Sequence, residues 1–317
     1  MITTELSKAK EALENNKIIA IPTETVYGLA GNAYQETAIK KIFQLKKRPY
    51  NNPLIVHIKS VFYLNNVATE IPKKAIQLAE IFWPGPLTLV LKKQPRIPAI
   101  VTGGKDTVAV RVPNHPLTLT LLELLDFPLA APSANPFGSI SPTSSTHVSN
   151  YFPGELEVIL EGGLCKNGIE STIIGFENNR AILYRHGAIT VEDIENVIGK
   201  IDSKINNNLE PEAPGMFSRH YAPKTSTYLT NNVEELIKSF AGKKIGLLLI
   251  EKNIVNKKIS HQEVLTKNGN LNEAAKNLYA AMHRLDQSGL DAIIAEKFPD
   301  IGLGKTINDR LQRAVKK

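Results

Sequence analysis

The sequence predicts an α/β protein in two units: a mixed, twisted sheet with helices through residues 1–200, an extended linker over 201–222, and a smaller α/β unit over 223–317. Three observations carry this. Short apolar runs of strand length alternate irregularly with helical periodicities, which describes a mixed sheet rather than a regular βαβ repeat. The 317 residues are 42% hydrophobic and 22% charged, enough apolar mass for two cores. Between residues 201 and 222 the apolar periodicity lapses, among Asn206–Asn208 and prolines 211, 214 and 223.

Taken in order, Leu6, Ala9 and Leu13 share one helical face, with Thr3 or Thr4 expected as the cap and Asn15-Asn16 as the stop. Lys17–Ile21 reads as a buried strand closed by Pro22. A helix over Thr37–Lys46, a strand over Leu54–Ile58 and a helix over Lys73–Phe82 follow, the last broken by Trp83-Pro84-Gly85-Pro86. Strands are then expected at Leu87–Leu91, Val108–Val112, Leu129–Ala131, Val158–Glu161, Ser171–Phe176 and Ala181–Tyr184, with a helix over Pro116–Leu125. Past the linker come a strand at Ile245–Ile250, a helix at Leu271–Gln287, a strand at Ala292–Ala295 and a terminal helix from about Lys305, the pattern of a doubly wound unit.

Several polar groups fall at strand ends, where α/β sheets carry their ligand sites. Pro22-Thr23-Glu24-Thr25-Val26-Tyr27-Gly28-Leu29 places two hydroxyls and a carboxylate after the first buried strand. Lys46-Lys47-Arg48-Pro49 ends a helix just before Asn51-Asn52-Pro53-Leu54-Ile55-Val56-His57, so its cations are held near a sheet edge where they can grip phosphates. In Thr107-Val108-Ala109-Val110-Arg111 the alternation puts Thr107, Ala109 and Arg111 on one face. An arginine there needs an anionic partner. Ala131-Pro132-Ser133-Ala134-Asn135 and Ser141-Pro142-Thr143 add hydroxyls and an amide, Ser171-Thr172 opens one strand, and Arg185 ends another. Each block alone is compatible with an ordinary turn or strand end. Together they suit a pocket for phosphates and an amino acid.

Other chemistries lack their residues. No His/Cys/Asp/Glu cluster has metal-ligand spacing, and no G-x-S-x-G elbow occurs. Gly302-Leu303-Gly304-Lys305-Thr306 has Pro299 where a Walker A motif needs its first glycine, and reads as a turn into the last helix. No run reaches the ~18–20 apolar residues of a membrane helix. One cysteine, Cys165, and an N-terminus without signal-peptide character point to the cytoplasm. The net charge of +7 is concentrated beyond residue 222, where 16 Lys and Arg face 10 Asp and Glu. A mildly basic solvated surface accounts for this, and RNA contact is the alternative.

The blocks P-T-E-T-V-Y-G-L, K-K-R-P, N-P-L-I-V-H, S-A-N with S-P-T, and E-S-T occur in this order over the first two hundred residues. They resemble the YrdC/Sua5 family of threonylcarbamoyl-AMP synthases. Ala213-Pro214-Gly215-Met216 and Arg219-His220-Tyr221-Ala222-Pro223 resemble the linker of the two-domain Sua5 form. The resemblance implies a YrdC-like catalytic domain followed by a small Rossmann-like domain. It implies that L-threonine, bicarbonate and ATP give threonylcarbamoyl-AMP and pyrophosphate, and that a partner transferase carries the threonylcarbamoyl group to adenosine 37 of tRNA. The family's catalytic tetrad falls on Lys46, Arg48, Ser133 and Asn135. Its threonine contacts fall on Thr25, His57, Arg111 and Ser171. Its nucleotide contacts fall on Arg48, Asn52, Thr107, Ser133, Ser141 and Arg185, with His220 or Tyr221 reaching in from the linker. Phe137, Gly175 and His186 stand where serine, aspartate and proline are common in the family.

On this reading fixed cations gather mutually repelling anions, and Mg²⁺ arrives on the phosphates of ATP rather than at a dedicated protein site. The linker is expected to close over the nucleotide, with a passive tether as its plain alternative. Two other functions compete. A non-catalytic double-stranded RNA-binding module would use the cations alone, and a carbamoyl-transfer maturation enzyme would need zinc modules that one cysteine cannot build.

Overall fold

The structure, a computed structural model, describes residues 1–178, 180–205, 213–214 and 220–315. Its first unit comprises β1 (Ile2–Thr3), α1 (Leu6–Glu14), β2 (Ile19–Ile21), β3 (Gly28–Asn32), α2 (Glu36–Lys46), β4 (Ile55–His57), a 3-10 turn (Val61–Asn66), β5 (Ala68–Thr69), α3 (Lys73–Phe82), β6 (Leu87–Lys93), β7 (Thr107–Arg111), α4 (Pro116–Glu123), β8 (Leu129–Ala130), α5 (Ser145–Tyr151), β9 (Ile159–Leu160), β10 (Thr172–Glu177), β11 (Arg180–Arg185), α6 (Val191–Ile198) and β12 (Asp202–Ser203). The strands form one twelve-stranded mixed sheet in the order β1-β9-β2-β3-β8-β4-β7-β6-β10-β11-β12, with β5 on β6.

Alternation along the central strands separates core from cavity. Val56 and Val110 face the main core with Ile39, Ile42 and Phe43 of α2 and Leu78 of α3. Ile55, Ala109, Val90, Ile173, Ile182 and Tyr184 face the other way and pack with Ala213 from the linker. A further core lies between α1, α4 and the β2, β3, β8 and β9 region.

The second unit contains β13 (Ser226–Thr230), α7 (Val233–Lys238), β14 (Ile245–Leu249), β15 (Ile259–Val264), α8 (Leu271–Gln287), β16 (Ala292–Glu296) and α9 (Leu303–Ala314). Its sheet has the order β13-β16-β14-β15 and is wholly parallel. One face is covered by Val233 and Ile237 of α7. Against the other face pack α8 and α9, and their shared core continues into the first unit through Val26, Ile140 and Ile169.

Some local expectations change. Neither Thr3 nor Thr4 caps α1: Glu5 occupies that position without a side-chain cap, because Thr3 is committed to pairing with Leu160 and its hydroxyl accepts the Glu5 N–H at 3.1 Å. Gly28–Asn32, where the sequence predicts no strand, is a strand antiparallel to β2. Within the expected linker, Asp202–Ser203 add an edge strand parallel to β11, a ladder that uses backbone alone and announces itself by no apolar pattern. Asn206–Asn208, Pro211, Gly215, Met216 and Arg219 lie outside the described residues.

Candidate active site

The register of the sheet assembles the site. β4 and β7 run parallel with His57 directly beside Arg111. β10 begins, and β11 ends, against the far side of the same region, bringing Ser171 and Arg185 together. The loop after β2 crosses above, and the bridge between Gly28 and Ser133 ties it to the loop after β8. Between them lies a cavity lined by Thr25, Arg48, Ile55, His57, Arg111, Ser133, Glu170, Ser171, Arg185, Pro214, His220 and Tyr221, among others.

The cationic cluster owes its placement to a helix end. Lys47 adopts a left-handed conformation (φ 52°), the Arg48 N–H returns to the Phe43 carbonyl at 3.0 Å, and α2 stops. Lys46 and Arg48 are thereby buried on the cavity side. Lys46 Nζ donates to the carbonyls of Ser133 and Asn135, each at 2.5 Å, and so fastens the Ser-Ala-Asn loop. Arg48 donates to the carbonyls of Asn52 (3.2 Å) and Pro53 (2.8 Å) and to Asn52 Oδ1 (2.6 Å). Arg185 donates to the Ser171 carbonyl (2.9 and 3.1 Å), the Ser171 hydroxyl (3.0 Å) and the Pro214 carbonyl (3.2 Å). These three cations are held by neutral dipoles, so their charge remains available to an anion.

Arg111 has the anionic partner that its strand position demands. Its Nη2 meets Glu24 Oε1 at 2.6 Å, a close ion pair off the angle of a directed hydrogen bond. Its Nε donates to the Gly85 carbonyl (3.1 Å) and its Nη1 to the Thr25 hydroxyl (3.0 Å). The other Glu24 oxygen accepts the Asn114 N–H (3.0 Å). Thr25 is also bonded to Thr23, and Ser171 to Thr88, at 2.8 Å each.

Burial, followed by Arg111, lowers the His57 imidazole to about 3, so this histidine is neutral. Burial and then Arg48 hold the Lys46 amine well below the ordinary lysine value. Burial and Arg185 likewise disfavour charge on Arg48, but a guanidinium does not deprotonate in proteins, so the effect registers as electrostatic tension. His220 is pushed well below the ordinary histidine value, chiefly by burial. Its ring lies edge-on to Phe137 at 5.7 Å. Tyr221 has φ 61°, a conformation a tyrosine avoids, held by stacking on Tyr279 at 5.8 Å and by Arg310, 4.8 Å from its ring.

Most of the sequence-derived residues converge here. Thr25, Arg48, His57, Arg111, Ser133, Ser171, Arg185, His220 and Tyr221 line the cavity directly. Lys46, Asn52, Asn135 and Ser141 stand just behind, bonded to lining residues or their loops. Thr107 does not reach the lining: it shares a face with Arg111 but lies four residues earlier on β7, ~13 Å along the strand. Among the described residues, five buried polar atoms in this region have no hydrogen-bond partner: Asn52 Nδ2, His57 Nδ1, Asn135 Oδ1, His220 Nδ1 and the Tyr221 hydroxyl. Buried polar groups are ordinarily bonded, so such a cluster marks a site that a polar ligand or water satisfies. Glu170, absent from the sequence reading of the site, lines the cavity beside Ser171. Gly302-Leu303-Gly304-Lys305-Thr306 turns into α9, and Lys305 pairs with Glu192 at 2.8 Å.

This fold and cavity define an α/β enzyme that collects anions and an amino acid around buried cations. The chain belongs to the Sua5/YciO/YrdC family. Residues 11–187 match that family, whose description reads telomere recombination, and residues 189–315 match the C-terminal domain of threonylcarbamoyl-AMP synthase. Threonylcarbamoyl-AMP synthase of Pyrococcus abyssi is 43% identical over 316 residues, covering 95% of this chain and 91% of that one. The Bacillus subtilis synthase is 39% identical, covering 98% and 93%. The crystal structure of P. abyssi Sua5 complexed with L-threonine superposes with a TM-score of 0.92 at 42% identity, covering 98% and 93%.

Proposed function

We propose that this chain is a nucleotidyltransferase that joins L-threonine, bicarbonate and ATP into threonylcarbamoyl-AMP with release of pyrophosphate. The observation that carries the reading is a cavity lined by Arg48 and Arg185 with Lys46 just behind, all three buried on neutral carbonyls, while among the described residues of the cluster Arg111 alone is paired to a carboxylate. Thr25, His57, Arg111 and Ser171 form the threonine side, Arg111 receiving the carboxylate. Arg48, Asn52, Ser133, Ser141, Arg185, His220 and Tyr221 form the nucleotide side, and Thr107 extends it only if the ligand runs along β7. The threonine amine attacks the bicarbonate carbon, and the bicarbonate hydroxyl leaves as water with a proton of the amine to give an N-carboxylate; a carboxylate oxygen then attacks the α-phosphorus as the bond to pyrophosphate breaks. The protein's part is to concentrate and orient anions by fixed electrostatics, with little proton transfer demanded of it.

Mg²⁺ enters with the ATP phosphates. Among the described residues, Glu170 in the cavity lining is committed to Ser141, Tyr279 and Arg310, and Glu24 behind Arg111 to that arginine and the Asn114 N–H, which supports delivery on the nucleotide over a protein site. The labile product passes to a cytoplasmic partner transferase that acts on tRNA adenosine 37. A double-stranded RNA-binding module is disfavoured because these cations are buried and enclosed, beyond reach of a duplex backbone.

Lys46→Ala and Arg48→Ala, each confirmed folded, test the reading through threonine- and bicarbonate-dependent pyrophosphate release. Losses of ~10²–10³ in turnover are expected. Near wild-type turnover in both would reject it.

A further inference from the structure

The C-terminal unit meets the cavity through one buried carboxylate. Glu170 precedes β10; one of its oxygens accepts from the Ser141 hydroxyl at 2.6 Å, the other from the Tyr279 hydroxyl and Arg310 Nε, each at 2.8 Å. Arg310 has no solvent exposure. It also donates to the carbonyl of His186, next to Arg185, at 2.6 Å and lies against the Tyr221 ring. The apolar contacts follow the same plan. Val26, Ile140, Ile169 and Tyr221 join the core of α8 and α9, and each adjoins a residue of the site: Thr25, Ser141, Glu170 and His220.

A carboxylate lining a cavity meant for a triphosphate needs explaining, since its charge repels the ligand. Stability is a poor explanation, because a buried ion pair contributes little over an apolar one. We infer that Glu170 is a positioning residue for the nucleotide side, with Arg310 of the C-terminal unit balancing its charge and the Tyr279 hydroxyl helping to fix it so that it orients Ser141. The C-terminal unit thereby acts on ATP binding from outside the cavity. This rests on the reading above that Ser141 and Arg185 face the nucleotide.

Calorimetry with ATP alone, and separately with threonine alone, tests the inference without turnover, so loss of pyrophosphate release with ATP binding intact would count against the synthase reading instead. Arg310→Met exposes the Glu170 charge to the nucleotide and should weaken ATP at least thirtyfold. Adding Glu170→Gln removes that charge and should recover at least tenfold of the loss. Tyr279→Phe, which keeps the ion pair and tests the bracket should Arg310→Met fail to fold, should weaken ATP about threefold. Threonine affinity should stay within twofold throughout. ATP affinity unchanged in folded Arg310→Met or Tyr279→Phe, no recovery in the double variant, or parallel loss of both ligands would overturn it.

Discussion

Glu24→Gln is the sharpest test of how the threonine side is built. Glu24 and Arg111 are both nearly inaccessible and meet at 2.6 Å, so the substitution leaves a buried guanidinium with the Thr25 hydroxyl and the Gly85 carbonyl as its remaining partners. Breaking a buried pair from one side costs about 3–5 kcal/mol. At about 2–4 °C per kcal/mol for a chain approaching this size, the midpoint of thermal unfolding should fall by roughly 6 °C or more. Because Glu24 also aims Arg111, threonine KM should rise about tenfold, the scale of one charge-assisted hydrogen bond. The double variant Glu24→Gln/Arg111→Met separates the effects: it should regain stability relative to Glu24→Gln while threonine-dependent turnover stays low. A Glu24→Gln protein that unfolds within a degree of wild type, with unchanged threonine KM, would refute the reasoning.

Other perturbations have equally definite outcomes. His147 of α5 and His283 of α8 stack at 3.9 Å across the two units, and burial lowers His283 to about 4. With its folded value below its unfolded one, His283 lends stability that is fully present above pH 6.5 and lost as pH falls toward 4. The slope is at most about 1.4 kcal/mol per pH unit. His283→Phe keeps a ring and should flatten the unfolding midpoint between pH 6.5 and 4.5; an unchanged slope would exclude the histidine as its source. Glu170 behaves in the same sense at lower pH. Burial raises it, but Arg310, Arg185 and Ser141 together hold it at about 2, so its contribution is present above pH 4.5 and disappears toward 2. Glu170→Gln should therefore shorten that acid limb. Gly168 has φ 65°, and a Cβ there would meet the Lys276 carbonyl of α8 at 2.2 Å. Gly168→Ala should cost about 2–4 kcal/mol and expose the seam between the units to limited proteolysis; wild-type stability would show that the loop yields freely.

The central strands and α2, α3 and α8 were legible because their apolar periods are long and their stops chemically plain; Lys73–Phe82 and Leu271–Gln287 fall where the pattern puts them. β3 was hidden by Gly28-Leu29-Ala30-Gly31-Asn32, whose small residues lack a strand's usual bulk, the space being needed for α2 and the loop after β8. The need for a partner at Arg111 could be argued from alternation and desolvation alone; that Glu24 fills it could not, since 87 positions of chain separate them and only the crossing loop joins them. Arg310 was overlooked for a different reason. It lies on the apolar stripe of α9 with Leu303, Ile307, Leu311 and Ala314, a signal that an arginine is buried and paired, but its partner lies in the other unit. Thr107 marks the limit of face-sharing as evidence: the correct side of a strand is not yet the correct end.

The carbonyl-held cations have a consequence for the protein's own durability. Burial and then Arg185 disfavour charge on Arg48, and burial and then Arg48 disfavour it on Lys46, so the chain folds against a desolvation and repulsion that a bound anion would relieve. Anything that binds the folded form alone stabilises it, by about 2.7 kcal/mol at one hundred times its dissociation constant. A bound polyanion would add relief of this repulsion to its own contacts. The folded chain is thus weakest when idle, and the supply of nucleotide and amino acid in its surroundings sets how long it endures as well as how fast it works.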